Sequence, residues 1–287
     1  MNNFFFSYLK KVKINPLFWL VIGLALMTGH FRQMILLFLI VFFHEMGHFM
    51  GAHLFQWRIK KVELLPFGGV AEVDEHGNRP FQEEFIITIL GPLQHIWMIG
   101  VSFLLWHFGV WTNSEHEWFL HMNMTIVCFN LLPIMPLDGG KLLFIFFARY
   151  LPFKRAHSLF LIVSFLFLLL FFIVFVSRNP LHLNSWIIFI FLVITHFFEW
   201  KQRPYVFMRF LMERIYHASS SSRKEKKLIY VDRNTIVSDV LALFQKGVYH
   251  VIVIKEPLRK KEIEEKQLLD VYFASNQVQC AIGRLFR

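Results

Sequence analysis

The feature that most constrains this chain is an apolar segment, residues 33–55, that is interrupted at its centre by ionisable side chains. Ten consecutive apolar residues, 34–43, lead directly into His44-Glu45-Met46-Gly47-His48, and four more apolar or small residues follow. The segment is long enough to cross a membrane as a helix. Ionisable groups inside such a helix cost on the order of a few kcal/mol unless something compensates them, so they indicate a functional site.

The spacing of these residues indicates what compensates them. Residues four apart lie on the same face of a helix, so His44 and His48 can share one metal ion. Glu45, one residue further round, can reach a water on that metal, and His-Glu-x-x-His is the pattern of zinc hydrolases. The alternative is a pair of core histidines that hydrogen-bond each other or a backbone carbonyl, but it leaves Glu45 without a role in hydrocarbon.

The composition requires a membrane. Of the 287 residues, 56% are hydrophobic and 36 are phenylalanine, and a soluble domain has no way to hide that much apolar surface. The net charge of +10 is then explained by lysine and arginine that flank the membrane segments. The basic residues therefore predict contact with the lipid bilayer and no binding of nucleic acid.

Six spans are predicted within residues 1–200, which we take as a polytopic α-helical membrane domain. They cover about residues 16–28, 33–55, 85–108, 118–147, 158–176 and 185–198. The distribution of lysine and arginine between the connections places both termini on the cytoplasmic side. The last two spans are nearly featureless apart from His196, so we expect them to be a scaffold that faces lipid.

The fourth predicted span is broken in its middle. Residues 130–141 contain two prolines and two glycines at membrane depth, and such residues bend the chain and free backbone groups. A break of this kind lets a carboxylate on one helix meet two imidazoles on another. Asp138 is therefore the candidate third ligand, and two histidines with one carboxylate leave the fourth zinc position open to water.

A short segment after the second span has a different composition. Apolar residues flank Phe67-Gly68-Gly69 on both sides, which predicts a β-hairpin with a glycine turn. Either the hairpin dips into the membrane beside the second span, where backbone that lines a cavity is tolerated, or it is an ordinary interfacial loop. A hairpin with a free edge can accept an extended substrate as an added strand.

Beyond the last span the sequence predicts a soluble tail. Residues 201–227 suit an interfacial helix and then a linker with four consecutive serines. Residues 228–287 predict a small α/β domain, with a helix that is capped by Asn234 or Thr235 and runs to Phe244. A core of that size favours pairing with a second copy of the chain, so we expect a homo-oligomer.

Two motifs in separate spans carry a resemblance to a known family. The first is the histidine motif of the second span, and the second reads Asn130-Leu131-Leu132-Pro133, followed by Pro136-Leu137-Asp138-Gly139-Gly140. Together they resemble the site-2 protease family of intramembrane zinc proteases, over a catalytic core of residues 33–150. One departure is His95, which stands where the family's Gly-Pro-x-x pattern often continues with Asn; we expect it to be a helix-contact or cavity residue and not a metal ligand.

The resemblance implies a role for each of these residues. It implies zinc held by His44, His48 and Asp138, with Glu45 as the general base. It further implies that the hairpin is re-entrant and helps to receive the substrate. The candidate substrate-binding residues are Phe67, Gly68, Gly69, Asn130 and Pro136.

The tail and the span count refine the resemblance. Residues 228–287 resemble a single CBS domain, which implies pairing between subunits and ATP sensing, with Thr235 and Asp239 as candidate nucleotide contacts. Six spans with such a tail look most like the sporulation members of the family in endospore-forming bacteria. The resemblance to those members implies that the chain cleaves the inactive sigma-K precursor and resides in the outer forespore membrane, facing the mother cell. It also implies control by inhibitory membrane partner proteins.

The sequence therefore predicts an intramembrane zinc metalloprotease that cuts a membrane-associated precursor near the cytoplasmic face. The alternative is a membrane metal transporter or metal sensor that uses the same ligands. A transporter needs polar residues in several spans and gives Glu45 no role. A third alternative, a catalytically silent membrane scaffold that reports nucleotide through its tail, predicts no zinc.

Overall fold

The computed structural model describes residues 12–14, 23, 27, 29, 31–57, 59–65, 68–73, 79–178, 180–181, 183–216, 226–255, 260–275 and 280–286. Except for Gly23 and Met27, the first predicted span lies outside these residues, as does Phe67. The chain divides into two compact units. The first comprises Met1–Glu75, Gln82–Leu132 and Leu137–Gly139, and the second comprises His76–Phe81, Pro133–Pro136 and Gly140–Arg287.

Three helices form most of the described part of the first unit. They are α1 (Phe31–Leu54), α2 (Phe81–His107) and α3 (Asn113–Asn130). α1 and α2 match the second and third predicted spans and are long and apolar enough to cross a membrane. Ile40, Met98 and Phe119, one from each helix, form a buried apolar cluster that packs the three helices together.

The sheet of the first unit contains the predicted hairpin. β1 (Val12–Ile14) pairs parallel with β2 (Ile59–Leu65), and β2 pairs antiparallel with β3 (Gly68–Val73). Leu65 lies opposite Gly68 at the closed end, so the hairpin is confirmed. In the described residues β3 is an edge strand of this sheet, and an edge strand can pair with an added chain.

The second unit is built on three further helices. α4 (Asp138–Tyr150) begins in the first unit and continues into the second, followed by α5 (Phe153–Phe171) and α6 (Leu183–Tyr216). The break predicted in the fourth span is confirmed, because the chain leaves α3 at Asn130 and becomes helical again at Asp138. With a short π-helical extension, α5 is the third helix of the described chain that is long and apolar enough to cross a membrane.

α5 and α6 contain buried polar contacts that the sequence does not predict. Ser164 and His196 are both buried, and their side chains lie 3.4 Å apart, while the Met135 N–H donates to Ser164 Oγ at 3.0 Å. α6 is one continuous helix where the sequence predicts a span that ends near residue 198 and a separate interfacial helix. Its distal part is held in place because Phe210 is buried in an apolar core with the tail.

The tail forms a three-stranded mixed sheet with short helices. β4 (Lys226–Asp232) pairs parallel with β5 (Tyr249–Lys255), and β5 pairs antiparallel with β6 (Lys260–Glu264). The helices are α7 (Val237–Leu241), α8 (Glu265–Ser275) and α9 (Ile282–Leu285). Apolar residues of β4, β5, α7 and α8 meet in the core that also buries Phe210.

The predicted cap of the first tail helix is wrong. Ile236 is the N-cap residue of α7, without a side-chain hydrogen bond, and the helix ends at Leu241 and not at Phe244. The reason is a cross-link to the end of the chain: Ile236 forms a β-bridge with Ala281, and the Ile282 N–H donates to the Thr235 carbonyl. These contacts keep the chain extended through residue 236, so the helix begins at Val237, one or two residues later than a cap at Thr235 or Asn234 predicts.

Candidate metal centre

Two turns of α1 and the first residue of α4 bring three metal-ligating side chains together. His44 and His48 lie on one face of α1, as their spacing predicts, and both are buried. Asp138, also buried, places Oδ2 3.1 Å from His44 Nε2 and 3.0 Å from His48 Nε2, and the two Nε2 atoms lie 3.2 Å apart. All three residues belong to the first unit.

The tautomer of His48 follows from its other ring nitrogen. His48 Nδ1 lies 2.9 Å from the backbone carbonyl oxygen of Ile87 in α2. A carbonyl oxygen only accepts hydrogen bonds, so Nδ1 carries the proton and donates. Nε2 of neutral His48 is then left with a lone pair that faces His44 and Asp138, which is the arrangement a metal ligand needs.

The three side chains fit a zinc ion. Their ligand atoms, two imidazole nitrogens and one carboxylate oxygen, all lie within 4.8 Å of one another. Tetrahedral zinc with bonds of about 2.0–2.1 Å separates its ligand atoms by about 3.3 Å, close to the 3.0–3.2 Å found here. Two histidines and one carboxylate also form the ligand set of catalytic zinc sites that keep a position open.

Glycines allow α1 and α2 to approach closely enough to build this centre. A Cβ atom at Gly91 of α2 would overlap the imidazole ring of His48. A Cβ atom at Gly47 of α1 would overlap the backbone carbonyl of Leu90. The space for the His48 ring therefore depends on the absence of a side chain at position 91.

His95 lies beside the centre, on α2. Its Nε2 is 3.1 Å from Nδ1 of His44, and its Nδ1 is 2.9 Å from Oδ1 of Asn123 on α3. His95 and Asn123 are both buried. The group that can hold a metal contains His44, His48 and Asp138 without His95, as the sequence predicts. Asn123 was missed, because a single polar residue in an apolar helix carries no motif.

The other predicted site residues occupy different places. Glu45 is half-buried on α1, next to His44. Asn130, also half-buried, is the last residue of α3, and Gly68 and Gly69 begin β3. Pro136 follows a cis peptide bond in the loop before α4. Thr235 and Asp239 lie in the tail, where Asp239 is exposed, and the roles assigned to all these residues stay predictions.

Comparison with known proteins gives a consistent result. The model of Peptidase family M50 matches residues 33–115 and 111–171. Stage IV sporulation protein FB of Bacillus subtilis is 42% identical over 280 residues, which cover 96% of this chain and 96% of that protein. A zinc metalloprotease of Methanocaldococcus jannaschii is 35% identical over 130 residues, which cover 43% of this chain and 37% of that protein.

A solved structure is similar over most of its length. The site-2 protease of Methanocaldococcus jannaschii superposes with a TM-score of 0.52 at 25% sequence identity, and the match covers 66% of this chain and 91% of that one. The family match ends at residue 171. The assignment of the tail as a CBS domain that binds ATP therefore stays a prediction.

Proposed function

This chain belongs to Peptidase family M50 and is a multi-pass membrane zinc metalloprotease, and we propose that it cuts the sigma-K precursor near the cytoplasmic face of its membrane. The observation that carries the proposal is the convergence of two imidazoles from α1, a helix long and apolar enough to cross a membrane, with the carboxylate of the first residue of α4. The choice of substrate is supported by identity along almost the whole length of a sporulation protein. The alternative of a metal transporter or sensor has no such support.

We assign the zinc ligands as His44, His48 and Asp138. When bound, zinc would act as a Lewis acid toward a peptide carbonyl and would lower the pKa of a coordinated water far below that of bulk water. The chain's contribution is to hold three ligand atoms at fixed separations in a site that excludes bulk water. Burial of all three residues provides that exclusion.

Glu45 is assigned as the general base and acid. It follows His44 on α1, so its carboxylate lies one residue round the helix from the ligand pair. It takes a proton from the water as the oxygen attacks the scissile carbonyl carbon, and it returns the proton to the amide nitrogen as the carbon–nitrogen bond breaks. The hydrolysis therefore needs no other proton carrier.

Substrate is received as an extended strand in this proposal. In the described part of the chain β3 is an edge strand that begins with Gly68 and Gly69, and an added strand can pair with such an edge. Phe67, which lies outside the described residues, is proposed as a substrate contact together with these two glycines. We propose that the hairpin is re-entrant and that Asn130 and Pro136 contact the substrate. The proposed topology has six spans with both termini in the cytoplasm. The proposed location is the outer forespore membrane, facing the mother cell.

The tail is proposed as a regulatory domain. Residues 228–287 would act as a CBS-like domain that binds ATP through Thr235 and Asp239 and pairs with a second copy of the chain. The boundaries of the three regions, 1–200, 201–227 and 228–287, belong to the same proposal. Inhibitory membrane proteins are the expected further partners.

The proposed function is tested by co-expression with the sigma-K precursor. We expect wild type to shorten the precursor on a gel and Glu45→Gln to leave it intact, because an amide cannot accept the proton of the attacking water. Zinc content of the purified proteins is the control, and it should be equal in both. Cleavage by Glu45→Gln at the wild-type rate would rule out Glu45 as the general base. If zinc-loaded wild type leaves the precursor intact, the sigma-K precursor is ruled out as the substrate.

A further inference from the structure

We propose that His95 and Asn123 are positioning residues that fix the tautomer and ring orientation of His44, and through it the zinc affinity of the centre. The inference rests on the proposed zinc site and extends it to two helices that supply no ligand. Nδ1 of His44 lies 3.1 Å from Nε2 of His95, and Nδ1 of His95 lies 2.9 Å from Oδ1 of Asn123. Both residues are buried, with His95 1% and Asn123 0% exposed.

The direction of this hydrogen-bond chain is set at its far end. The side-chain nitrogen of Asn123 lies 2.9 Å from the backbone carbonyl oxygen of Phe119, one turn earlier on α3. Because that oxygen can only accept, the Asn123 amide must present its NH2 group there and its Oδ1 to His95. Oδ1 is an acceptor, so Nδ1 of His95 must carry the proton.

The remaining protons then follow in order. A charged imidazole in a buried, apolar segment is costly, so His95 is neutral and its unprotonated Nε2 carries a lone pair. That lone pair accepts from His44, so Nδ1 of His44 carries the proton and its Nε2 is bare. The bare Nε2 is the atom 3.1 Å from Asp138 Oδ2 and 3.2 Å from His48 Nε2.

The two ligand histidines are therefore oriented by different means. The ring of His48 is fixed by the backbone carbonyl of Ile87, which no side-chain substitution removes. The orientation of the His44 ring depends on the side chains of His95 and Asn123. In the other tautomer of His44, with the proton on Nε2, an N–H would point at the metal position. Loss of an outer partner of a ligating histidine typically costs 10–100-fold in metal affinity or activity.

A matched control exists between the same two helices. Ser102 on α2 and His116 on α3 are both buried, and Oγ of Ser102 lies 2.6 Å from Nδ1 of His116. This pair joins α2 to α3 as His95 and Asn123 do. Substitution His116→Phe removes that hydrogen bond without touching the chain of protons that ends at His44.

The experiment measures zinc retention of the purified full-length chain against graded concentrations of a chelator, with zinc read by mass spectrometry. We expect His95→Phe and Asn123→Leu to lose zinc at 10–100-fold lower chelator than wild type. His95→Gln, whose amide can accept from His44 and donate to Asn123, should lie closer to wild type. His116→Phe should match wild type.

The outcomes separate the inference from the proposed function. Wild-type retention in His95→Phe, or equal losses in His95→Phe and His116→Phe, would overturn the positioning role and leave the zinc site standing. Equal losses in His95→Gln and His95→Phe would also overturn it, since the role is to accept a hydrogen bond. If Asp138→Asn retains zinc as wild type does, the proposed zinc site itself fails, and the inference fails with it.

Discussion

The metal centre and a cluster in the tail both combine a buried histidine with a buried carboxylate, and they differ in what faces the carboxylate. In the metal centre, Oδ2 of Asp138 lies 3.0–3.1 Å from the Nε2 atoms of His44 and His48. In the tail, Oε2 of Glu265 lies 3.2 Å from Nδ1 of His250. The residue types and distances are similar, so composition alone does not distinguish a metal site from a structural cluster.

The tail cluster contains its own cation. Arg214 of α6 donates to both carboxylate oxygens of Glu265 and to the backbone carbonyl of Gln245. Nε2 of His250 accepts from the Gln245 N–H at 3.2 Å, so Nδ1 carries the proton that faces Glu265. Every acceptor in this arrangement, which we call the tail clamp, meets a donor from the chain.

The metal centre is arranged in the opposite way. His48 uses its proton on the Ile87 carbonyl, so a lone pair and a carboxylate oxygen face each other at 3.0 Å. Acceptors that converge at such distances repel one another unless a cation lies among them. The direction of the lone pairs therefore separates the two clusters, and only one of them calls for zinc.

The largest expected effect comes from changing each carboxylate to its amide. Asp138→Asn should lose nearly all bound zinc and all cleavage, because an amide is a much weaker zinc ligand than a carboxylate. Its fold should persist, which hydrogen exchange of α1 and α2 would show. Zinc content at the wild-type level would contradict the ligand assignment.

Glu265→Gln is the matched change in the tail clamp. Arg214 is only 5% exposed, and a buried cation without its partner costs about 3–5 kcal/mol, so the free energy of unfolding of the tail should fall by that amount. Zinc content should not change. Hydrogen exchange of β4 and β5, compared with wild type, measures the loss, and an unaltered exchange rate would show that the clamp carries no stability.

A smaller effect is expected from adding one methyl group at the wall of the metal centre. Gly91→Ala places a carbon where the His48 ring lies and should lower zinc affinity about tenfold or more, because the ring must move. Gly100→Ala on the same helix is the control, since a Cβ atom there meets nothing within 4 Å. Chelator competition on both variants gives the comparison, and equal affinities would show that His48 tolerates displacement.

The sequence predicts local geometry well and long-range pairing poorly. The shared face of His44 and His48 follows from helix periodicity, and the break before Asp138 follows from proline and glycine, so the ligands could be found without a structure. The partnership of His95 with Asn123 depends on how two helices are rotated against each other, which no spacing in one helix encodes. It joins residues 28 apart.

The tail clamp was missed for the same reason. Arg214 lies in a basic stretch and Glu265 in a run of alternating charges, and each has the appearance of a surface residue. They are 51 residues apart and meet only because α6 continues to Tyr216. Residues 260–266 are almost all lysine and glutamate, and charged residues are almost never fully buried unless they are paired, so the sequence gives no sign that Glu265 is buried.

The smallest expected effect is a pH dependence confined to the tail. Burial lowers the pKa of His250 below its usual 6.5. The positive charges of Arg214 and Lys227 lower this pKa further, whereas the hydrogen bond to Glu265 raises it. Because unfolded His250 binds a proton that the folded state resists, the stability of the tail should be constant above about pH 6.5 and fall as the pH drops below it.

Glu265 should not contribute to this first decline. Burial by itself raises the pKa of its carboxyl, but hydrogen bonds from His250 and Arg214 outweigh burial and lower the pKa to about 2. Its stabilisation is complete above its ordinary value of 4.5 and is lost only as the pH falls toward 2. Hydrogen exchange of β5 between pH 7 and 5, corrected for intrinsic exchange, should therefore show a slope in wild type. The slope should vanish in His250→Gln, and a slope that persists there would assign the titration to another group.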